Sequence, residues 1–463
     1  MRQGGRARMP QEYWPETNVG ASVAREAPRG RRSISQALNI PRHTLNALEY
    51  SPLPMPPEIP MNAPTLSRAL ILLMATATGL AVASNYYAQP LLHSIAQQFG
   101  LSTAGAGSIV IAAQLSYGAG LLLLAPLGDL FEQRRLITVM TAISTLGLVI
   151  SACAPSLPWL LLGTALTGLF SVVAQILVPM AASLSEPHQR GRAVGTLMSG
   201  LLLGILLART AAGFMAELGG WRSIYVLAAV LMAITALALY RSLPQHHSHA
   251  GLKYPALIGS VFRLFIEEPV LRLRSLLGLL AFSLFALFWT PLAFLLAQEP
   301  YHYSDAVIGL FGLAGAAGAL SANWAGRLAD RGKGALGTTV GLIVLLLSWV
   351  PLGFAEYSLL ALLLGVLMLD LAVQLVHVSN QNAVIALRPE ARTRLNAGYI
   401  TCYFIGGALG SLLGTQLFQR QGWMGIVVAG LVIGTLALLA WALAERKRIS
   451  RDIATHYPPS PER

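Results

Sequence analysis

The feature that most constrains this chain is a series of long apolar stretches separated by short polar connections. A helix needs about 20 residues to cross roughly 30 Å of hydrocarbon, and twelve stretches approach or exceed that length. They cover residues 68–88, 107–127, 136–155, 158–183, 193–217, 222–240, 273–297, 306–326, 335–354, 357–380, 396–418 and 423–444. The sequence therefore predicts an all-α integral membrane protein with twelve transmembrane helices.

Two sequence features recur once in each half of the chain. A Gly-Asp-basic loop follows helix two and recurs after helix eight, and its residues are Gly128, Asp129, Arg134 and Arg135 in the first copy and Gly326, Asp330 and Arg331 in the second. Helices five and eleven both end in Gly-Trp, at Trp221 and Trp423, and we expect both rings at the outer membrane interface. Such a repeat predicts two pseudo-symmetric six-helix bundles, an arrangement typical of secondary transporters.

Composition and charge agree with a membrane protein. Apolar residues make up 55% of the chain and charged residues 11%, whereas soluble domains carry roughly 25% charged residues. The net charge of +12 comes from Lys and Arg in connections on one side of the helices, as in cytoplasmic loops. We therefore predict a multi-pass protein of the cell inner (plasma) membrane, with both termini cytoplasmic, in contact with the lipid bilayer and without a nucleic-acid partner.

Polar stretches divide the chain into five predicted parts. These are a disordered cytoplasmic N-terminal tail at 1–66, an N-terminal six-helix bundle at 67–241, a cytoplasmic linker at 242–272, a C-terminal six-helix bundle at 273–446 and a cytoplasmic tail at 447–463. Cys153 and Cys402 have no metal-ligand spacing, and the chain has no Walker sequence. We expect no cofactor and no metal, and no enzyme, because no nucleophile and base are paired in any span.

Asp370 is the only carboxylate deep inside a predicted span. A charge at that depth costs at least roughly 2.5–3.5 kcal/mol and as a rule faces a cavity or a partner. Gln374 and His377 follow at i+4 and i+7, on the same face of helix ten. Arg209 is the matching basic residue inside helix five. We predict that Asp370, Arg209 and His377 couple protons to the working cycle; the alternatives are a structural Asp370 held by a fixed hydrogen bond and an Arg209 that binds helix-end carbonyls.

Two further motifs identify a family that the chain resembles. The run from Asn85 to Leu92, NYYAQPLL, and the run from Gly195 to Gly200, GTLMSG, resemble the arabinose-efflux-permease group of sugar and drug exporters in the major facilitator superfamily. The resemblance covers about 66–446. It implies alternating access between the two bundles, with helices one, four, seven and ten lining the substrate cavity.

The resemblance also implies roles for particular residues. The substrate-binding candidates are Asn85, Tyr86, Tyr87, Gln89, Gln175, Trp289 and Gln374. The alternatives are membrane-interface anchoring for the tyrosines and ordinary core packing for Trp289. The two Gly-Asp-basic loops would gate conformational change through a charge network, the alternative being a solvated turn. Helix five packs near helix ten in the family, so we hypothesise that an Arg209–Asp370 pair closes the outer gate.

Two residues depart from the pattern of antiporters in this family. Thr164 stands where an Arg is usual in helix four, and Ile205 replaces a Pro in helix five. The sequence predicts a monomeric secondary transporter that exports a small sugar- or drug-like molecule by proton antiport. An uptake carrier or facilitator of the same fold is the alternative within transport, and a non-transporting membrane sensor is the alternative outside it.

Overall fold

The computed structural model describes residues 67–186, 188–246, 254–314, 327–328, 331 and 333–456. In these ranges the secondary structure consists of helices joined by turns, and the predicted all-α architecture is confirmed. The predicted tail at 1–66 and the gating residues Gly326 and Asp330 lie outside the described residues.

Twelve helices or helix beginnings follow the predicted spans in order. The first six are α1 (Arg68–Ala83), α2 (Thr103–Leu123), α3 (Gln133–Ala152), α4 (Leu157–Leu184), α5 (Arg190–Gly219) and α6 (Arg222–Ser242). The second six are α7 (Pro269–Ala297), α8 (Asp305–Leu310), α9 (Gly334–Leu352), α10 (Leu359–Ile385), α11 (392–421) and α12 (423–456). Among the described residues, nine continuous helices are long and apolar enough to cross a membrane, and one of them contains both α11 and α12.

The Gly-Trp repeat has the same geometry in both halves. Gly220 and Gly422 have φ angles of 75° and 65°, a region that glycine occupies without steric cost, and each therefore turns the chain into the next helix. The tryptophans that follow are 4% and 1% exposed. Trp221 donates its indole N–H to Gln98 and Trp423 donates to the carbonyl of Leu352. Both rings are buried, because each N–H finds a partner inside its own bundle, and their depth at the outer membrane interface stays a prediction.

Small residues bring corresponding helix pairs into close contact in the two bundles. α1 crosses α5 at Gly79 and Gly200, and the carbonyl oxygen of Gly200 lies 2.6 Å from where a Cβ of Gly79 would be. α7 packs on α11 in the same way, because a Cβ at Gly406 would overlap the backbone of Leu279. Close backbone approach through small residues is how helices associate where water provides no driving force.

Helices α1 and α4 are both interrupted, and the two interruptions lie next to each other. α1 ends at Ala83, earlier than the predicted 88, and turns at 84–88 lead into a 3-10 helix at Gln89–Leu91. α4 contains a 3-10 turn at Ser171–Val173. Asn85 Nδ2 donates to Ser171 Oγ at 3.2 Å and joins the two interruptions.

Within the described part of the chain, four hydrogen bonds join the two bundles at the predicted outer end, and a fifth, from the Thr401 hydroxyl to the carbonyl of Gly118, joins α11 to α2 away from that end. Ser94 donates to Asp305 Oδ2 at 2.5 Å, and Ser304 donates to Glu217 Oε1 at 2.5 Å. The amide of Ala104 donates to Gln419 Oε1, and Thr210 donates to the carbonyl of Gly309. This conformer therefore holds the predicted outer ends of the bundles together.

A linker helix, Tyr254–Glu267, follows the N-terminal bundle and contacts both bundles. The hydroxyl of Tyr254 donates to the carbonyl of Leu123 at the end of α2. At its other end, Glu267 and Glu268 pair with Arg388, which follows α10, at 2.8 and 2.6 Å. α7 begins directly after this linker, within the range predicted as linker.

Candidate functional site

Arg209 lies at the centre of an aromatic cluster between the bundles. Its side chain is 2% exposed, and Nε donates to Gln89 Oε1 at 2.7 Å. The guanidinium carbon lies 4.3 Å from the ring centre of Trp289, 4.8 Å from that of Tyr86 and 5.6 Å from that of Phe285. A cation over aromatic faces is stabilised by the ring quadrupoles, so the rings take the place that water would have around an exposed guanidinium.

Asp370 contacts the same tryptophan, Trp289, through the indole N–H. It is 5% exposed on α10, and Oδ1 accepts the indole N–H of Trp289 at 3.0 Å. Trp289 therefore contacts both charges of the site, one through its ring face and one through its N–H. α5 supplies Arg209 from the N-terminal bundle, whereas α7 and α10 supply Trp289 and Asp370 from the C-terminal bundle.

The direct Arg209–Asp370 pair that we hypothesised is not formed in this conformer, although both residues are described. No ion pair joins them within the 4.0 Å limit that defines one. The physical reason is that Gln89 and the rings engage the guanidinium while Trp289 engages the carboxylate. Nη2 of Arg209 has no hydrogen-bond partner, so the cluster contains a buried donor that is not satisfied.

His377 belongs to a separate cluster on the same helix. Its Nδ1 lies 3.1 Å from the hydroxyl of Tyr399, and its ring centre lies 4.5 Å from that of Tyr403. Both tyrosines come from α11. The predicted polar face of α10 thus divides: Asp370 meets Trp289, while His377 meets tyrosines closer to the predicted cytoplasmic end.

The remaining substrate-binding candidates fall into two groups. Tyr86 and Gln89 contact Arg209, and Gln374 is half-buried on α10 between Asp370 and His377. Tyr87, in contrast, packs edge-on against Tyr225 inside the N-terminal bundle. Tyr86 and Tyr87 are 7% and 4% exposed, which argues against membrane-interface anchoring for either ring.

Two candidates on the N-terminal bundle lie away from Arg209. Gln175 is half-buried on α4. Asn85 is 6% exposed at the interruption of α1 and lines a small pocket together with Thr164, the residue at the position where an Arg is usual in antiporters. The substrate candidates are therefore divided between the central cluster and the interior of the N-terminal bundle.

The first gating loop is built mainly from contacts within the N-terminal bundle. Glu132 caps α3 by accepting the backbone N–H groups of Arg134 and Arg135, at 2.9 Å each. The Arg134 guanidinium lies 4.8 Å from the ring centre of Tyr240 on α6. Gly128 faces α4 closely, since a Cβ would lie 3.1 Å from Ile176 Cγ2.

Less of the environment of the other predicted gating residues is described. Asp129 ends the 3-10 helix Ala125–Asp129 that precedes α3. In the second loop, Arg331 is exposed, and its backbone N–H donates to the carbonyl of Arg327. A charge network across the bundles stays a prediction for both loops.

Two polar residues that the structure places in contact networks were not singled out from the sequence. Arg274 is 9% exposed on α7 and donates to Thr338 and Asn380, at 2.6 and 3.0 Å. Its position inside predicted span seven, 273–297, was the signal that could have identified it. Asp305 bonds Ser94 across the bundles, and its position just before predicted span eight gave no indication of that contact.

Comparison with known proteins identifies the family. The model of the Major Facilitator Superfamily matches residues 74–387. Uncharacterized transporter YgaY of Escherichia coli O157:H7 is 60% identical over 376 residues, which are 81% of this chain and 95% of that protein. The "Probable sugar efflux transporter" of Mannheimia succiniciproducens is 24% identical over 69% of this chain and 79% of its own length.

Solved structures show the same fold. A bacterial homologue of the human lysosomal transporter Spinster matches with a TM-score of 0.65 at 17% identity, over 82% of this chain and 97% of that one. The architecture, the family match and the transporter relatives agree with one another. The chain is a multi-pass membrane transporter and belongs to the Major Facilitator Superfamily.

Proposed function

We propose that this transporter exports a small sugar- or drug-like molecule across the inner membrane in exchange for protons, by alternating access between its two bundles. The observation that carries the proposal is the chain Arg209–Trp289–Asp370 at the interface between the bundles. It joins a buried cation of one bundle to a buried carboxylate of the other through a single aromatic side chain. Ionisable groups inside a membrane are functional by default.

In the proposed cycle, Asp370 is the group that binds and releases the proton. When ionised, its carboxylate accepts the Trp289 N–H. When protonated, it loses its charge and with it most of the strength of that hydrogen bond, because charge-assisted bonds are roughly twice as strong as neutral ones. Trp289 is then free to shift beneath Arg209, which links protonation to the interface between the bundles.

The substrate class follows from what surrounds Arg209. Tyr86, Phe285 and Trp289 present aromatic faces, and Gln89 presents an amide whose Nε2 has no partner. Rings and amides of this kind suit a neutral molecule with hydroxyl groups or an amphiphilic drug. Relatives from Mannheimia succiniciproducens and Helicobacter pylori carry the name "Probable sugar efflux transporter", which supports the direction and the sugar class.

The experiment that tests the proposal measures proton release from acidified inverted vesicles. Sugars and lipophilic cations are added one class at a time, and dequenching of a pH-sensitive dye reports proton exit. We expect dequenching with one ligand class in wild type and none with Asp370→Asn. The same response in both proteins would remove Asp370 from coupling, and no response of wild type to any ligand would remove proton antiport.

An uptake carrier or facilitator is the second candidate, and two residues favour it. Thr164 and Ile205 replace residues that antiporters of the family usually carry. For this candidate, substrate movement in vesicles would continue unchanged after a protonophore is added. For a proton antiporter, accumulation of substrate in the vesicles would stop. The two candidates therefore separate in a single transport assay with and without the protonophore.

A further inference from the structure

The N-terminal bundle contains a small polar pocket that the proposed transport cycle does not use. It lies between α1, α2, α3, α4 and α6, and its lining residues are Ser84, Asn85, Ala88, Val110, Ala113, Ser151, Thr164, Thr167, Gly168 and Tyr225. It has room for about one water-sized particle. A charged side chain is absent from this lining, all of which is described.

The polar groups around the pocket present oxygen lone pairs. Ser84, Ser151 and Thr167 each donate their hydroxyl hydrogen to a backbone carbonyl of their own bundle. A hydroxyl has one hydrogen and two lone pairs, so these three hydroxyls face any guest as acceptors. These three hydroxyls add acceptor oxygens to the pocket, beside the hydroxyls of Thr164 and Tyr225, which can donate or accept.

Two oxygen atoms at this pocket have no hydrogen-bond partner. They are Oδ1 of Asn85, whose side chain is 6% exposed, and Oγ1 of Thr164. Asn85 is held in place because its Nδ2 donates to Ser171, which fixes the amide with its oxygen unpaired. A buried polar atom without a partner is unfavourable and calls for an unobserved guest.

The interruption of α1 places two of its residues at the pocket. α1 ends at Ala83, and the next two residues, Ser84 and Asn85, line the pocket. The last carbonyls of α1 accept hydrogen bonds from the turn, at Ala81 from the Ser84 hydroxyl and at Val82 and Ala83 from backbone N–H groups. A guest in the pocket therefore meets side-chain oxygens.

We propose that one Na⁺ ion binds in this pocket, held by neutral oxygens of Asn85, Thr164 and the neighbouring hydroxyls. Divalent cations favour carboxylates, and the lining has none. The ion fixes the interruption of α1 against α3 and α4. The same interrupted segment carries Tyr86 and Gln89, which contact Arg209, so Na⁺ also positions one wall of the central cluster.

The test compares thermal unfolding of the purified full chain in equal concentrations of sodium, potassium and choline chloride. A ligand that binds only the folded state raises the melting temperature, and we expect sodium to raise it by about 1–4 °C over choline at concentrations tenfold above Kd. Asn85→Leu and Thr164→Val should lose the increase. Thr141→Val is the matched control, because Thr141 is a buried threonine of α3 that bonds its own helix and does not line the pocket.

A second measurement, binding of radioactive ²²Na⁺ to the purified protein, keeps the proposal testable if Asn85→Leu does not fold. We expect saturable binding to wild type and to Thr141→Val, and a loss of at least tenfold in affinity with Thr164→Val. Equal melting temperatures in sodium and choline would show a pocket that holds only water and would overturn the proposal. An equal increase in wild type and both pocket variants, or an increase with potassium alone, would overturn it as well.

Discussion

Trp289 is the residue on which both charges of the candidate site depend. Its ring lies under Arg209 and its N–H donates to Asp370. Trp289→Phe keeps an aromatic face and removes the donor, and a hydrogen bond to a charged group contributes about 1.5–3 kcal/mol. We expect ligand-driven proton release from inverted vesicles to fall by roughly 10–100-fold, while binding of the ligand changes little.

Trp423→Phe is the matched control for that substitution. Trp423 is equally buried, and its N–H donates to a backbone carbonyl away from Arg209 and Asp370. We expect this variant to lower the melting temperature and to retain ligand-driven proton release. Equal losses of proton release in the two variants would mean that Trp289 acts through packing alone.

Arg209 and Asp370 should be energetically coupled although they do not touch. Both act on Trp289, and residues that share a partner give non-additive effects of about 0.5–3 kcal/mol in double-mutant cycles. We expect Arg209→Ala combined with Asp370→Asn to reduce transport by less than the product of the single losses. In a Trp289→Phe background the coupling between Arg209 and Asp370 should weaken. Additive effects of Arg209→Ala and Asp370→Asn on transport in the wild-type background would refute the coupling.

At this scale the sequence singled out the two charges of the site but not the residue that contacts both of them. Depth in the membrane alone singled out Arg209 and Asp370, because a charge in an apolar span needs a partner or a cavity. The connecting role of Trp289 depends on distances among α5, α7 and α10, which no local pattern encodes. Arg274 shows the opposite error, since a basic residue near a span end reads as a loop charge although it is buried.

Among the helices, the crossing of α1 and α5 is sensitive to a single methyl group. A Cβ on Gly79 would lie 2.6 Å from the carbonyl oxygen of Gly200, and overpacking of this kind costs about 1–3 kcal/mol. We expect Gly79→Ala to lower the melting temperature of the purified protein by about 2–10 °C. Gly195→Ala on α5 is the control, because nothing lies within 4 Å of the new methyl group, and it should leave the melting temperature unchanged or slightly higher.

Helix order and span positions could be predicted because each span needs a long apolar run. The end of α1 was predicted at 88 instead of 83, although Ser84, Asn85 and the residues that follow are more polar than the helix before them. The Gly-Trp turns show a limit of the pattern: the repeat was visible, but the burial of Trp221 and Trp423 depends on packing inside each bundle.

For the whole molecule, the duplication predicts two bundles but leaves their relative position open. Alternative conformers of a transporter differ by a few kcal/mol, and a sequence pattern does not rank them. The conformer described here is joined at the predicted outer end by Ser94–Asp305 and Ser304–Glu217. Those four polar side chains must separate for the cavity to open outward.

A cross-link at this contact should therefore stop transport. Ser94 and Asp305 belong to different bundles and their side-chain oxygens lie 2.5 Å apart. We expect Ser94→Cys with Asp305→Cys, in a background with Cys153 and Cys402 replaced by Ser, to lose at least 90% of substrate transport after treatment with a short thiol cross-linker of the methanethiosulfonate type, and to recover after reduction. Rate of substrate movement in vesicles is the measurement.

The single variants Ser94→Cys and Asp305→Cys separate the cross-link from the loss of the native hydrogen bond. Neither single variant can form a cross-link between the bundles. Its transport rate should therefore be the same with and without the reagent. Cross-linking confirmed by mass spectrometry, together with undiminished transport in the double variant, would show that the outer ends stay joined during the cycle. Transport would then proceed without the outward opening that alternating access requires.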